Sequence, residues 1–222
     1  TTFNASDVSL QNGENYSFTF TFNPTAVGAS NASFVINTNG GDITIDLSGT
    51  GVEAPTGPMD GGFETNVNDF DLTFDGWVQH DIDGSATYSI SGVTFPNQNY
   101  TGSFIAFNPS ATNPQLGEAW EAYEGNRYGA CFDAQNPPNN DWFITPQIAL
   151  QNNSSLSFWA KSVTDQYGLE RFKVLVSTTD NSPGSFSAIS SGSFIQAPIS
   201  WTKYEYNLSA YDGQNVYIAI QC

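Results

Sequence analysis

The chain is patterned in twos. Tyr16-Ser-Phe-Thr-Phe-Thr-Phe22 puts four aromatic rings on one face and hydroxyls on the other, and Ala32-Ser-Phe-Val-Ile36 and Ile43-Thr-Ile-Asp-Leu47 continue the pattern. Side chains of an extended strand point alternately to opposite faces, so this period predicts strands with one buried face. Asn37-Thr-Asn-Gly-Gly41 between two of them is a turn signal. Glu53-Ala-Pro-Thr-Gly-Pro58 has Pro and Gly but no apolar period, and reads as a linker. Residues 1–52 supply three or four strands, too few for an independent sandwich of ~100 residues. They are expected to be the rear part of an immunoglobulin-like domain.

Residues 59–222 read as β throughout. Strands are expected near 76–79, 87–90, 103–107, 128–132, 142–145, 156–160, 171–177, 203–208 and 216–220. Arg171-Phe-Lys-Val-Leu-Val-Ser177 and Val216-Tyr-Ile-Ala-Ile220 carry the strongest apolar runs. Only 115–124 favours a turn or two of helix, with Glu118, Glu121 and Glu124 three apart on one face. Short strands at this spacing predict an all-β, two-sheet sandwich of jelly-roll type.

Charge narrows the function. The 222 residues contain 5 Lys+Arg against 22 Asp+Glu, a net charge of −17, yet only 12% of residues are charged. That is about half the usual ~25%. Five scattered bases cannot form a phosphate-binding footprint, which excludes nucleic acid and anionic membrane surfaces as partners. Hydrophobic residues at 39% and aromatics at 14% are enough to bury a core. His80 is the single histidine, which excludes a multi-histidine zinc site, and no G-x-S-x-G nucleophile elbow is present. Three glutamates on one face are ordinarily a solvated face rather than a glycosidase pair. The chain is therefore expected not to be an enzyme. Cys131 and Cys222 either pair in one long-loop disulfide or remain two buried thiols; both readings stay open.

Two resemblances extend this reading. Ser17-Phe-Thr-Phe-Thr-Phe-Asn-Pro-Thr-Ala-Val-Gly28, followed by Ile43-Thr-Ile-Asp-Leu-Ser-Gly-Thr-Gly51, resembles the closing strands of a Hydin-like (ASH-type) immunoglobulin repeat. Over residues 60–222, Gly62-Phe-Glu64, Gly76-Trp77, Asp81-Ile-Asp-Gly84 and Asn139-Asn-Asp-Trp-Phe-Ile-Thr-Pro146 resemble the cleaved-adhesin domains of gingipain haemagglutinin regions and of choice-of-anchor J proteins. That resemblance implies a jelly roll spanning 59–222 and a bacterial, type IX secreted or cell-surface parent with further domains. The family continues beyond a segment like Val216–Cys222, so further C-terminal strands are expected to follow.

Asp81-Ile-Asp-Gly-Ser85 offers two carboxylates two residues apart on a glycine turn, suited to a hard cation that takes six to eight oxygens. It is not an EF-hand, because Gly falls fourth and the twelfth position is Gly92. The alternative is a pair of solvated turn aspartates. The adhesin resemblance implies that Glu64 and Asp141 converge with this loop on a structural Ca2+. Among aromatics, Trp142 and Trp159 lie in strand-like runs and are expected in the core. Trp120 with Tyr123, and Asn97 with Tyr100, are candidate ligand contacts. The expected function is adhesion, or recognition of an extracellular glycan or protein ligand. The alternatives are an accessory substrate-binding domain of a larger secreted hydrolase and a spacer in a surface filament.

Overall fold

The computed structural model describes residues 27–51, 61–65 and 67–222. The expected Tyr16–Phe22 strand, the Glu53–Pro58 linker and most of the Ser17–Gly28 motif lie outside the described residues. The chain divides at Glu53–Ala54 into two units, each described by itself.

In the first unit, β1 (Gly28–Ile36) and β2 (Ile43–Gly51) form an antiparallel hairpin. Its register sets Ala32, Phe34 and Ile36 opposite Leu47, Ile45 and Ile43 on one face. On the other face Ser33 Oγ donates to Asp46 Oδ1 at 2.7 Å. The turn is tied by Thr38 Oγ1, which accepts from Gly40 N at 3.1 Å and donates to Gly41 O at 2.6 Å.

The second unit is all-β, with only short 3₁₀ turns between strands among the described residues. Its strands are β3 (Val78–Asp81), β4 (Phe104–Phe107), β5 (Tyr128–Cys131), β6 (Asp141–Ile144), β7 (Ile148–Ala149), β8 (Ser155–Ala160), β9 (Arg171–Ser177), β10 (Ser187–Ala188), β11 (Ile195–Gln196), β12 (Thr202–Asn207) and β13 (Asn215–Gln221). A seven-stranded sheet runs β10-β9-β13-β6-β3, with β11 also on β9 and β7 on β13. Two hairpin-like pairs, β8–β12 and β4–β5, form the facing layer.

Alternation builds the interior. Phe172, Val174 and Val176 of β9 and Val216 and Ile218 of β13 share one buried face. Leu156, Phe158 and Ala160 of β8 and Tyr204 and Tyr206 of β12 close over it. The result is a β-sandwich, as the strand spacing predicts. Beside it, Phe104 of β4 stacks on Phe143 of β6 with ring centroids 4.7 Å apart. The opposite face of β4 holds Ile105 and Phe107 against Phe70, Phe95 and Tyr100. The central sheet's second face carries Trp142, Ile144, Leu175 and Ala219, partly covered by Phe186. At roughly 25 cal/mol per Å2 of apolar surface removed from water, these rings are the main favourable term in folding.

Several expectations are revised. The 115–124 segment forms only a 3₁₀ turn over Glu118–Trp120. The 87–90 strand reduces to an isolated bridge between Thr87 and Ala134. Trp142 is buried at 6% exposure, whereas Trp159 is 37% exposed, because β8 turns Phe158 inward and so turns its neighbour out.

One of the five bases is placed to hold the sandwich's leading segment. Arg127, just before β5, donates from Nη1 to the carbonyls of Phe63, Glu64 and Val67 at 3.1, 2.9 and 2.9 Å. Its Nε and Nη2 both reach Asp69 Oδ1 at 2.9 Å. The Glu64 carboxylate returns the contact, accepting from the amides of Asn126 and Arg127 at 2.9 and 3.1 Å. It lies so close over Gly125 that a Cβ there would overlap it, and the positive φ of 72° at this turn also favours glycine. Removing the guanidinium leaves three carbonyls and a partly exposed carboxylate without their donor, which typically costs about 2 kcal/mol. Arg127→Ala is expected to lower the unfolding free energy by that order in a urea melt. Arg127→Lys should recover little, since an ammonium cannot span three carbonyls and a carboxylate at once. A wild-type melt from either variant contradicts this role.

Candidate metal centre

The register of β3 against β6 pairs Val78 with Ile144 and ends by setting Asp81 directly opposite Asp141. Like charges facing each other across an antiparallel pair repel. A third carboxylate joins them, because the turn after β3 folds Asp83 back over the start of β6. Gly84, at φ 64°, lets the chain reverse there. Gly84 N donates to Asp81 Oδ1 at 2.6 Å, and Ser85 N donates to Asp83 Oδ1 at 2.9 Å. Asn140 N donates to Asp83 Oδ2 at 2.7 Å, and Ile82 N to Asn140 O at 3.0 Å. The turn is thus fastened to β6, and oxygens from Asp81, Asp83 and Asp141 lie within 4.8 Å of one another.

Asp141 occupies the centre of this arrangement and is only 3% exposed. Its backbone pairs with Cys222, N to O at 3.1 Å and O from N at 2.9 Å. Its Oδ2 accepts from Asn139 Nδ2 at 3.2 Å and from Cys131 Sγ at 3.6 Å. Its Oδ1 is buried with no hydrogen-bond partner among the described residues. Burial first, then the charges of Asp83 and Asp81, push the Asp141 carboxyl up to about 7. Ion pairs among the described residues join Arg127 to Asp69 and Lys203 to Glu205, so neither neutralises the three aspartates. A buried carboxylate oxygen without a donor is a costly arrangement, and a cation resolves both the repulsion and the missing partner. An all-oxygen carboxylate set is the donor chemistry of a hard divalent ion.

Of the four residues expected at this centre, the structure brings together Asp81, Asp83 and Asp141 but not Glu64. Glu64 is spent on the Gly125–Arg127 turn. Burial raises its carboxyl, but the amides of Asn126 and Arg127, the Asn126 side chain and the Arg127 charge outweigh that and hold it below its ordinary range. The carboxylates of Asp81 and Asp141 share one end of the sandwich because Asp81 ends β3 and Asp141 begins the antiparallel β6. The strand pairing and the fastening of Asp83 by the Asn140 amide carry no signal in the sequence.

The candidate ligand contacts do not form one surface. Tyr100 is buried at 6% exposure with its hydroxyl donating to Ser103 O at 3.0 Å. Asn97 Nδ2 donates to Phe70 O at 2.8 Å. Trp120 packs on the buried Phe107 ring, centroids 5.9 Å apart. Of the three aromatics, Tyr123 alone is exposed, at 49%, and it stacks on Trp159 at 3.9 Å and 15°. Trp201 meets Tyr123 edge-on at 6.3 Å, and its Nε1 donates to Glu121 O at 3.1 Å. Lys161 Nζ donates to Ala119 O at 2.7 Å and lies 5.0 Å over the Trp201 ring. Tyr123 and Trp159 are thus exposed side by side against the half-buried Trp201, and Trp159 is the member that strand propensity hides. His80 Nε2 lies 3.1 Å from Asn181 O. Cys131 and Cys222 are both free thiols.

These features define an acidic, all-β sandwich module with three carboxylates converging at one strand end. In sequence it is similar to haemagglutinins. The chain is 26% identical over 163 residues to Hemagglutinin A of Porphyromonas gingivalis (strain ATCC BAA-308 / W83), covering 66% of this chain and 7% of that protein. A second Hemagglutinin A from Porphyromonas gingivalis is 28% identical over 163 residues, covering 66% of this chain and 6% of that protein. The chain therefore matches less than a tenth of the length of these relatives. No family model matches it. Among solved structures, it is similar to the K2 cleaved adhesin domain of Lys-gingipain, with TM-score 0.48, 14% identity and coverage of 72% of this chain and 84% of that one. The K3 cleaved adhesin domain of Lys-gingipain from Porphyromonas gingivalis W83 gives TM-score 0.39, 18% identity and coverage of 66% and 79%.

The raised Asp141 carboxyl fixes the sign of a pH dependence. In cation-free buffer the folded state binds more protons than the unfolded state between about pH 4 and about pH 7, so stability falls as pH rises through that window. Glu170, also raised to about 7 by burial and by Asp133 beside it, adds to the same slope. Urea melts with chelator present are expected to show that decline, and Asp141→Asn should flatten it in part. Stability that rises with pH across the window contradicts the assignment.

Proposed function

We propose that this chain is a non-catalytic adhesion module of a secreted or cell-surface bacterial protein, with calcium as a structural ion at Asp81, Asp83 and Asp141. The observation that carries the adhesion reading is the sequence similarity to Hemagglutinin A. The calcium reading is supported by the buried, partnerless Oδ1 of Asp141 facing two further carboxylates. A bound calcium supplies two positive charges to a site that holds three negative ones. Asp81 and Asp83 hold it from the turn and Asp141 from β6, while the amides of Gly84, Ser85 and Asn140 keep two of the carboxylates aimed. The consequence is mechanical: the β3 turn stays closed on the end of the central sheet.

Recognition of an extracellular glycan or protein ligand is assigned to the Tyr123–Trp159–Trp201 surface. Flat, rigid rings present large apolar area at low entropic cost, and indole and phenol polar tips add hydrogen bonds. The 118–123 segment carrying Tyr123 is pinned by Trp201, Lys161 and the Tyr128 hydroxyl, so the surface is built before any ligand arrives.

Two outcomes test these readings separately. Adding chelator is expected to lower the melting temperature by about 5 °C, the order that a change of 1–2 kcal/mol gives in a chain of this size. Asp141→Asn is expected to melt at the same temperature with and without calcium. A wild-type melt indifferent to calcium contradicts the structural ion. In glycan-array and surface-binding assays, Trp159→Ala is expected to abolish binding with little change in stability, because Trp159 is exposed. Binding that survives this substitution removes recognition from this surface.

A further inference from the structure

The two cysteines come from positions far apart in the chain, yet the fold brings them side by side. Cys131 ends β5 in the β4–β5 pair, opposite Phe104, and Cys222 follows β13 in the central sheet. Cys131 Sγ lies 3.6 Å from Asp141 Oδ2, and the neighbouring Cys222 pushes the Cys131 thiol well up. Both pack against the same buried group of Val67, Phe74, Phe104, Ala106 and Phe143, and both keep part of their surface exposed. Backbone pairing fixes Cys222 against Asp141 on both sides, N to O and O from N. The sulfurs are therefore held by two different sheets.

We propose that Cys131 and Cys222 form a disulfide clasp between the two sheets when the protein meets an oxidant of the small-molecule disulfide class. The reaction is thiol–disulfide exchange. One cysteine thiolate attacks a sulfur of the small disulfide, forms a mixed disulfide and expels one thiolate. The second cysteine then attacks the protein sulfur and expels the other. Two protein thiols lose two hydrogens, and the small disulfide is reduced to two thiols.

The surroundings tolerate the change. Oxidation removes the Cys131 S–H that points at Asp141 Oδ2, but Asn139 Nδ2 donates to that oxygen at 3.2 Å and remains. Asn139 Nδ2 also donates to Phe132 O at 3.2 Å, so loss of its 3.5 Å contact with Cys131 Sγ leaves it bonded. The clasp closes a loop of 91 residues, counted as 222 − 131. Loops of that length are where a cross-link most restricts the unfolded chain. The proposal stands whether or not the neighbouring carboxylates bind a cation.

The test is mass spectrometry of the 1–222 chain after incubation with oxidised glutathione and alkylation of remaining thiols. The expected product has lost two hydrogens, takes no alkyl group and yields a peptide pair joining Cys131 to Cys222. Reductant should return both thiols, and the oxidised form should melt higher than the reduced form. Cys131→Ser and Cys222→Ser are each expected to take one glutathione instead. Two glutathione adducts on the wild type, two thiols that stay open to alkylation, or a cross-link between two chains would overturn the clasp.

Discussion

Everything at the acidic end of the sandwich follows from one constraint: the β3–β6 register sets Asp81 opposite Asp141, and the turn beyond it returns Asp83 to the same place. The crowding is built into the fold, because the carboxylates sit on paired backbone and the turn is bonded to Asn140. The protein has two ways to live with it. It can protonate Asp141, which is what burial and the neighbouring charges drive, or it can take up a cation. Asp141 also pairs with Cys222 through its backbone, so either solution reaches the end of β13 and the centre of the main sheet.

A second economy concerns positive charge. With 5 bases in 222 residues, each has little competition for acidic partners, and Arg127 is used as a staple rather than as a surface charge. One guanidinium satisfies three carbonyls and a carboxylate along 63–69, while Glu64 caps the turn that presents Arg127. This division explains why Glu64 stands apart from the three clustered aspartates. The same segment carries Phe63, whose ring meets Phe74 and Trp77 edge-on at 4.9 and 5.4 Å, so the ionic staple and the aromatic core hold one stretch of chain from two sides.

Much of this was legible in the sequence, for a physical reason. Period-two patterning marks strands directly, and runs such as Arg171–Ser177 and Asn215–Gln221 form where alternation and apolar runs predict them. Asp81 and Asp83 are legible as two carboxylates on a glycine turn, whereas Asp141 is joined to them only by the adhesin resemblance. Short strands β7, β10 and β11 were not, since two residues carry no period. Trp159 was misjudged because a single ring inside a strand does not declare its face; the register of Leu156, Phe158 and Ala160 does. Tyr100 and Asn97 have the residue types of ligand contacts, yet both satisfy internal carbonyls, which composition cannot distinguish. Glu64 was drawn to the wrong partners because its true ones, the amides at 126 and 127, carry no side-chain signature.

The central claim is that a cation replaces a proton at Asp141. Calorimetric titration of the chain with calcium at pH 6.5, repeated in two buffers of different ionisation enthalpy, measures that exchange directly. With the Asp141 carboxyl near 7 in the cation-free protein, binding is predicted to release most of one proton, and Asp141→Asn to release none. Absence of calcium binding, or binding with no proton release from the wild-type chain, would contradict the account.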